Sequence, residues 1–204
     1  MRTAYIGMGG NLASWAGPPE ATLTAAALRL ETLGRVTRRS SLYSTAPVGF
    51  AGQPRFVNAV IALETELEPR PLLEALLSLE REFGRDRSAG FVNGPRTLDL
   101  DLLLIDGLRI SEPGLEIPHP RLAEREFVLI PLCEIAAGVV DASRGITVSQ
   151  LLENLHESAG SRTDAVVRIQ SDGWGAGAHV GDGCPGEAER TSPCDPHDRG
   201  HSRG

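Results

Sequence analysis

Hydrophobic and polar residues follow two different periods along the chain, and these periods predict alternating strands and helices. Short apolar stretches bounded by glycine, proline or polar residues predict strands over residues 3–8, 35–44, 56–67 and 98–105. Leu-rich stretches that begin at proline and stop before glycine predict helices over residues 18–33 and 71–83. Two further short helices are predicted over residues 131–137 and 148–156.

The order of the first six elements, strand–helix–strand–strand–helix–strand, is typical of a ferredoxin-like α/β sandwich. We therefore predict an α+β fold, in which an antiparallel sheet with a βαββαβ core carries the additional helices at its edge. A chain of 204 residues is long enough to bury one hydrophobic core. We expect that core within a single domain over residues 1–170.

Residues 171–204 differ in composition from the rest of the chain. They contain eight Gly and three Pro, and Val180 is their only Leu, Ile, Val or Phe. Such a segment buries too little apolar surface to offset the entropy of ordering it, which predicts a disordered tail. The tail also holds three of the five His and two of the three Cys, so metal binding is the alternative. These residues show no recognisable ligand spacing, which favours the disordered tail.

The strand over residues 98–105 begins with two carboxylates on one face. Side chains alternate along a strand, so Asp99 and Asp101 share a face with Leu103 and Ile105, and Leu98, Leu100, Leu102 and Leu104 line the other. The two Asp Cα atoms are expected to lie roughly 6.6 Å apart. Carboxylates this close suit Mg²⁺, which takes one or two of them together with water and phosphate oxygens. An edge strand with two solvated acids explains the spacing equally well.

Charge and hydropathy exclude two classes of partner. The net charge of −7 argues against nucleic acid, because phosphate backbones are bound by basic patches. No apolar run approaches the length of about 18 residues that a membrane-spanning helix requires. The N-terminus lacks the long apolar region of a signal peptide, and the three Cys form no C-x-x-C pair. We expect a cytoplasmic monomer.

The chain has no lysine, and all 20 of its Lys and Arg residues are Arg. A P-loop requires a Gly-Lys-Ser/Thr sequence, so that route to ATP is excluded. Any bound phosphate chain must be held by Arg, backbone N–H groups, His or a metal ion, and Arg is well suited because it makes bidentate contacts to phosphate.

One charged residue breaks the pattern of the second predicted helix. At about 100° per residue, Glu80 projects into the middle of the apolar arc. A carboxylate on a face directed at the core is costly unless it has a partner. The alternative is that Glu80, near the end of the helix, bends out to solvent.

Four segments of the chain together resemble the hydroxymethyl-dihydropterin pyrophosphokinases of folate biosynthesis. The most specific is Gly-Pro-Arg-Thr-Leu-Asp-Leu-Asp at residues 94–101, which is similar to the signature of that family. The other three are Tyr-Ile-Gly-Met-Gly-Gly-Asn-Leu-Ala-Ser at 5–14, Thr-Ala-Pro-Val-Gly at 45–49 with Gln-Pro-Arg-Phe-Val-Asn at 53–58, and Pro-His at 118–119 with Arg125 and Phe127. The segments occur in family order over about residues 1–160.

This resemblance implies an ATP-dependent diphosphotransferase. The expected reaction transfers pyrophosphate from ATP to 6-hydroxymethyl-7,8-dihydropterin and releases AMP, with Mg²⁺, as two ions, held by Asp99 and Asp101. It also implies catalytic roles for Arg85 and Arg96 and contacts to ATP from the set Glu80, Arg87, His119 and Arg125. For the two loop arginines, Arg85 and Arg87, a solvated charged loop is the alternative.

The resemblance also implies a pterin site. Phe56 and Phe127 match positions that sandwich the flat ring, although each could equally be a core residue. The polar edge of the ring is expected to meet Asn58 and the segment that contains Thr45, Pro47 and Val48. The chain departs from the family at residues 92–93, where Val-Asn stands in place of the frequent Arg-Trp.

Two other functions are compatible with the same residues. One is a different Mg²⁺-dependent nucleotidyl- or phosphotransferase built on this framework. The other is a non-catalytic ferredoxin-like regulatory module, since one fold supports many functions.

Overall fold

An antiparallel sheet forms the centre of the molecule in a computed structural model that describes residues 1–47, 52–85, 94–159 and 166–175. The strands in the described residues are β1 (Arg2–Gly10), β2 (Arg35–Arg39), β3 (Leu42–Thr45), β4 (Phe56–Thr65), β5 (Asp99–Ile105), β6 (Ile110–Glu112), β7 (Leu115–Ile117), β8 (Val140–Asp141), β9 (Ile146–Thr147) and β10 (Val167–Ile169). The main sheet has the order β10–β3–β4–β1–β5, with β2 also paired to β4. β6 with β7 and β8 with β9 form two small hairpins.

Helices cover both faces of this sheet and divide the core into two clusters. The helices are α1 (Pro19–Leu30), α2 (Pro69–Glu82), α3 (Glu126–Ala136) and α4 (Val148–Ala159). α1 and α2 pack against Ile6 and Ile61 on one face, and α3 and α4 pack against Tyr5 and Val60 on the other. Neighbouring residues of β1 and β4 therefore serve opposite clusters, which explains why both strands are apolar almost throughout.

The single strand predicted over residues 35–44 is interrupted at Ser40 and Ser41, so that β2 and β3 are separate strands. The Ser40 hydroxyl accepts the Val60 N–H at 2.9 Å and replaces a ladder hydrogen bond from the backbone. The Ser41 N–H donates to the Glu134 carboxylate of α3 at 2.8 Å. Serine side chains and a distant carboxylate thus satisfy the backbone where the ladder is broken.

The alternation predicted for the Asp strand is correct to Leu103 and wrong for Leu104 and Ile105. Tyr5 pairs with Leu104 and Ile6 with Leu102, so Leu103 is an extra residue in the ladder. This bulge reverses the faces that follow. Leu104 joins Leu103 in the cluster of α3 and α4, and Ile105 joins the cluster of α1 and α2.

The predicted helices are all present, with one large error in their limits. α3 begins at Glu126, five residues before the start predicted at Pro131, and Pro131 lies inside the helix. Proline at a helix start removes no internal hydrogen bond, which is the common case and the reason for the predicted start, whereas Pro131 removes one from the interior of α3. The earlier start matters because it places Phe127 in the first turn of α3. No helix of the described residues is both long and apolar enough to cross a membrane.

The folded part of the chain extends beyond the boundary predicted at residue 170. β10 pairs with β3, and Trp174 packs into the core of the α1 and α2 face with only 8% of its surface exposed. Its indole N–H donates to the Ser40 carbonyl at 2.7 Å. A count of Leu, Ile, Val and Phe omits this tryptophan, which supplies more apolar surface than any of them. The remainder of the predicted tail, 176–204, lies outside the described residues.

Candidate active site

A cavity of about 780 Å³, including its open mouth, lies beside β1, β4 and the first turn of α3. Its lining comprises Gly7, Met8, Gly9, Thr45, Ala46, Phe56, Asn58, Ala59, Val60, Arg96, Asp99, Asp101, Arg121, Arg125, Phe127 and Val128. Residues from all four segments that resemble the pyrophosphokinase family therefore line this one cavity.

Asp99 and Asp101 both reach this cavity. Their side chains retain 19% and 34% of their surface exposed, respectively. Burial, with the adjacent charge of Asp99, raises the pKa of the Asp101 carboxyl above its ordinary value, although His119, Arg125 and Arg96 act in the opposite direction. A site that raises a carboxyl pKa in this way favours a cation at the pair.

Three predicted arginines surround the two carboxylates. Arg85 donates to an oxygen of Asp99, and Arg125 donates to Asp101 Oδ2 at 3.3 Å. Arg96 Nε lies 3.2 Å from Asp99 Oδ2 without the alignment of a hydrogen bond. This N–H is one of two buried side-chain polar atoms in the described residues that have no hydrogen-bond partner, the other being Thr97 Oγ1. Burial opposes the charge of Arg85, but Asp99 and Glu80 outweigh it and raise the pKa of Arg85.

Glu80 is buried, so the alternative in which it turns out to solvent is wrong. The residue is 1% exposed, and its Oε1 accepts hydrogen bonds from Arg85 Nη1 at 2.6 Å and the Leu100 N–H at 2.8 Å. β5 is the edge strand of the sheet, and Glu80 satisfies a backbone N–H of that edge between the two aspartates. Glu80 is absent from the cavity lining, and its role is to hold Arg85 in position through their hydrogen bond.

His119 lies beside the aspartates at the end of a hydrogen-bonded turn. Its backbone N–H donates to the Leu103 carbonyl at 2.8 Å, and its Nδ1 accepts the Arg121 N–H at 3.1 Å. In the neutral imidazole the remaining proton is then on Nε2, which is a donor. Burial lowers the pKa of His119 below its ordinary value, with Arg125 and Arg121 acting in the same direction and Asp101 opposing them. The neutral form therefore predominates at pH 7.

The predicted pterin residues are divided between the cavity and its surroundings. Phe56 and Phe127 line the cavity from β4 and α3, and Arg96 and Arg125 lie over their rings at 5.1 and 5.8 Å from the ring centroids. Thr45 and Asn58 line it and are joined by a hydrogen bond of 2.8 Å. Pro47 is half-buried and is absent from the lining. Val48, predicted to contact the pterin, and Arg87, predicted to contact ATP, lie outside the described residues.

Asn11 has a structural role that sequence reasoning missed. Its Oδ1 accepts the Arg96 N–H at 2.9 Å, and its own N–H donates to the Arg96 carbonyl at 2.9 Å. Gly10 allows this approach, because a Cβ there would lie 2.3 Å from the Thr97 carbonyl oxygen. The Gly-Gly-Asn turn after the first predicted strand is the sequence signal that could have indicated the contact.

The donor set at the centre of the cavity fits a hard divalent cation. Asp99 and Asp101 offer carboxylate oxygens, which Mg²⁺ prefers, and the described residues contain no group of three or more His, Cys, Asp or Glu that could complete a protein-only site. Mg²⁺ commonly completes its octahedron with water and substrate phosphates, so two carboxylates are sufficient. With such an ion bound, the negative charges of Asp99 and Asp101 would be balanced by the metal instead of by Arg85, Arg96 and Arg125.

Comparison with known proteins identifies the family of this site. The family model of the 7,8-dihydro-6-hydroxymethylpterin-pyrophosphokinases matches residues 5–137, which include every described element of the cavity. The chain belongs to this family. The predicted enzyme class, a pyrophosphokinase, is thereby confirmed, and the alternative of a non-catalytic regulatory module is excluded.

Curated relatives agree with this membership. The chain is 41% identical over 166 residues to the 2-amino-4-hydroxy-6-hydroxymethyldihydropteridine pyrophosphokinase of Methylorubrum extorquens, which covers 80% of the chain and 100% of that relative. It is 40% identical over 154 residues to the enzyme of the same name from Synechocystis, covering 74% of the chain and 75% of the relative. The mitochondrial folate synthesis bifunctional protein of Arabidopsis thaliana is 50% identical over 117 residues, which are 56% of the chain and 21% of that protein.

Solved structures support the fold. The chain resembles the wild-type HPPK-DHPS of Plasmodium falciparum with a TM-score of 0.60 and 13% identity, over 81% of this chain and 46% of that one. An HPPK-DHPS crystallised in complex with substrates gives a TM-score of 0.60 at 13% identity, over 82% and 46%. The mixed α/β class with an antiparallel sheet is confirmed.

Proposed function

We propose that the chain catalyses the Mg²⁺-dependent transfer of diphosphate from ATP to 6-hydroxymethyl-7,8-dihydropterin, giving the pterin diphosphate and AMP, in folate biosynthesis. One observation carries the proposal: the Asp99 and Asp101 pair, three arginines and two phenylalanines line a single cavity in a chain of the pyrophosphokinase family. Carboxylates suit the metal, arginines the phosphates and the aromatic rings a flat heterocycle.

The pterin end of the cavity is proposed to be the region of Phe56, Phe127, Asn58 and Thr45. Stacking on aromatic side chains contributes about 0.5–1.5 kcal/mol beyond the area buried. The Asn58 amide donates to Thr45, which leaves its carbonyl oxygen and the second amide hydrogen for the donor–acceptor edge of the ring. Gly9 supports this arrangement, because a Cβ there would lie 2.8 Å from Asn58 Oδ1 and displace the amide.

The phosphate end is proposed to lie at the aspartates and arginines. Bound Mg²⁺, as two ions on Asp99 and Asp101, would neutralise phosphate charge and lower the pKa of the attacking hydroxyl. Arg85, Arg96 and Arg125 then have phosphate oxygens to bind in place of the carboxylates, and Arg87 is proposed to join them. Arg96 Nε, a buried donor without a partner, gains an acceptor in this way. The neutral His119 can donate from Nε2 to a phosphate oxygen.

The reaction needs no covalent enzyme intermediate. The pterin hydroxyl oxygen forms a bond to the β-phosphorus, and the bond from that phosphorus to the oxygen it shares with the α-phosphorus breaks. AMP leaves with that oxygen, and the hydroxyl proton passes to water. The residues of the chain orient the two substrates and stabilise the charge that develops, which is the greater part of catalysis in phosphoryl transfer.

We also propose the finer description of the fold as a ferredoxin-like sandwich. The order β5–β1–β4–β3, with α1 after β1 and α2 after β4, supports a βαββαβ core in which β2 and β3 together take the place of its second strand. A cytoplasmic monomer stays a prediction.

The test is AMP release from ATP by the purified chain, measured by chromatography with and without the pterin and with and without Mg²⁺. We expect AMP only when both are present. Asp101→Asn should reduce the rate at least about a hundredfold, because an amide cannot balance the charge of the metal. Asp106→Asn, which changes an exposed acid just after the same strand, is the matched control and should stay within about twofold of the parent. Normal turnover of Asp101→Asn at saturating Mg²⁺ would refute the metal assignment.

A further inference from the structure

Arg121 differs from the other arginines that line the cavity. Arg96 and Arg125 pair with Asp99 and Asp101, whereas the carboxylate nearest to Arg121 is that of Glu124, with 3.4 Å between Arg121 Nε and Glu124 Oε2. The side chains of Arg121 and Glu124 are 51% and 65% exposed. Arg121 is thus a positive charge at the cavity wall in addition to those that balance the two aspartates.

The ion pair of Arg121 with Glu124 costs little to break. Exposed pairs three residues apart contribute on the order of 0–1 kcal/mol, because water screens both charges. Separating Arg125 from Asp101 is more costly, since both side chains are mostly buried and an aspartate would be left without its partner. Arg121 can therefore leave its carboxylate partner and bind an incoming anion. Arg96 and Arg125 could do so only if another cation took their place beside the aspartates.

The backbone of Arg121 holds its side chain next to the catalytic centre. Its N–H donates to His119 Nδ1 at 3.1 Å, so any movement of Arg121 is tied to the imidazole beside the aspartates. The Leu122 N–H donates to the His119 carbonyl at 3.0 Å and closes the same turn. Every substitution of Arg121 except proline keeps this N–H, so the function of the guanidinium can be tested without changing the His119 tautomer.

We propose that Arg121 is a further phosphate-binding residue, whose guanidinium leaves Glu124 and binds the polyphosphate chain of ATP. The proposal rests on the proposed function, because the anion it requires is the triphosphate of the co-substrate. Arginine makes charge-assisted bidentate contacts to phosphate, which are stronger than an exposed pair with a carboxylate. Unlike Arg96 and Arg125, Arg121 would be available to ATP without leaving an aspartate.

The test is equilibrium binding by titration calorimetry in Mg²⁺ buffer, with the α,β-methylene analogue of ATP, AMP and the pterin as three separate ligands. For Arg121→Gln we expect the Kd of the analogue to rise at least about tenfold, as for loss of one charge-assisted hydrogen bond. The Kd values of AMP and the pterin should change less than about twofold, since neither carries a polyphosphate. Glu124→Gln should bind the analogue as tightly as the parent or more tightly.

Arg70→Gln is the matched control, because Arg70 is also a half-exposed arginine paired with one glutamate but lies outside the cavity lining. It should leave all three Kd values unchanged. An unchanged Kd of the analogue in Arg121→Gln, or an equal loss for AMP, would overturn the proposal for Arg121 while leaving the proposed function intact. Absence of AMP release by the unaltered chain with the pterin would instead overturn the proposed function.

Discussion

A single carboxylate, Glu80, connects helix α2 to the aspartate strand. It accepts hydrogen bonds from Arg85 and from the Leu100 N–H, and Arg85 in turn contacts Asp99. A charge at 1% exposure is costly unless donors satisfy it, and these two hydrogen bonds contribute to that. At the residue scale, the site thus depends on a group outside the cavity lining that positions Arg85 against Asp99 of the lining.

Glu80→Gln should lower both stability and turnover. The amide keeps an acceptor for Leu100 but withdraws the negative charge that faces Arg85, which should reduce the free energy of unfolding by about 1–3 kcal/mol. With Arg85 less firmly held, kcat should fall about ten- to a hundredfold. Thermal melts and steady-state kinetics measure both quantities. Glu74→Gln, on the exposed side of the same helix, is the control, and a Glu80→Gln variant that behaves like it would contradict the positioning role.

At the scale of elements, the small β8–β9 hairpin shows how a polar turn is stabilised between two helices. Asp141 is fully buried, and its Oδ1 accepts the Ser143 N–H at 2.8 Å and the Arg144 N–H at 3.1 Å. Arg144 Nη1 donates to Oδ2 at 2.8 Å. Burial alone would raise the pKa of Asp141, but these hydrogen bonds from Ser143 and Arg144 outweigh it and lower the pKa below its ordinary 3.8.

A pH dependence follows from this lowered pKa. The stabilisation is complete above the pKa of the unfolded chain and is lost as pH falls through the lower pKa of the folded state. Asp141→Asn should therefore reduce the free energy of unfolding by about 1–2 kcal/mol at pH 7, and the difference from the parent should shrink below about pH 3.8. Melting curves from pH 7 down to pH 3 test this. Glu157→Gln, an exposed carboxylate on α4, should show no such trend, and a constant Asp141→Asn deficit down to pH 3 would contradict the assignment.

At the scale of the whole molecule, the segment around β10 ties the end of the described chain to the edge of the sheet. β10 pairs with β3 from Val167 opposite Ser44 to Ile169 opposite Leu42, and Trp174 fills the core below. Ser44 precedes Thr45 of the cavity, so the C-terminal segment supports the strand that carries a site residue.

Two truncations separate this segment from the rest of the tail. Deletion of residues 171–204 removes Trp174 and should lower stability by about 3 kcal/mol, as for loss of a large core side chain, or roughly 6–12 °C in Tm. Deletion of residues 176–204 keeps Trp174 and should change Tm by less than about 2 °C. Calorimetric melts of both variants measure the difference. Equal Tm values for the two would show that Trp174 contributes nothing, and a large loss in the shorter deletion would show that residues beyond 175 pack.

Much of this protein could be predicted from its sequence, because the relevant signals are local. Strand and helix order depends on periods of two and about 3.6 residues. Those periods identified the four helices and most of the main sheet, but they joined β2 and β3 into one strand and missed β10. The spacing of Asp99 and Asp101 placed both on one face, since a strand alternates its side chains wherever it is regular. The family motifs could be read directly as well, because each is a short run of adjacent residues.

What only the tertiary structure decided depends on contacts between distant parts of the chain. The bulge at Leu103 follows from the pairing of β5 with β1, and the break at Ser40 follows from β4 and Glu134. The partners of Glu80 and the burial of Trp174 depend on strands far from each residue in sequence. Local periodicity contains no information on such pairings, because their energy exists only when packing brings the groups together and removes water from between them.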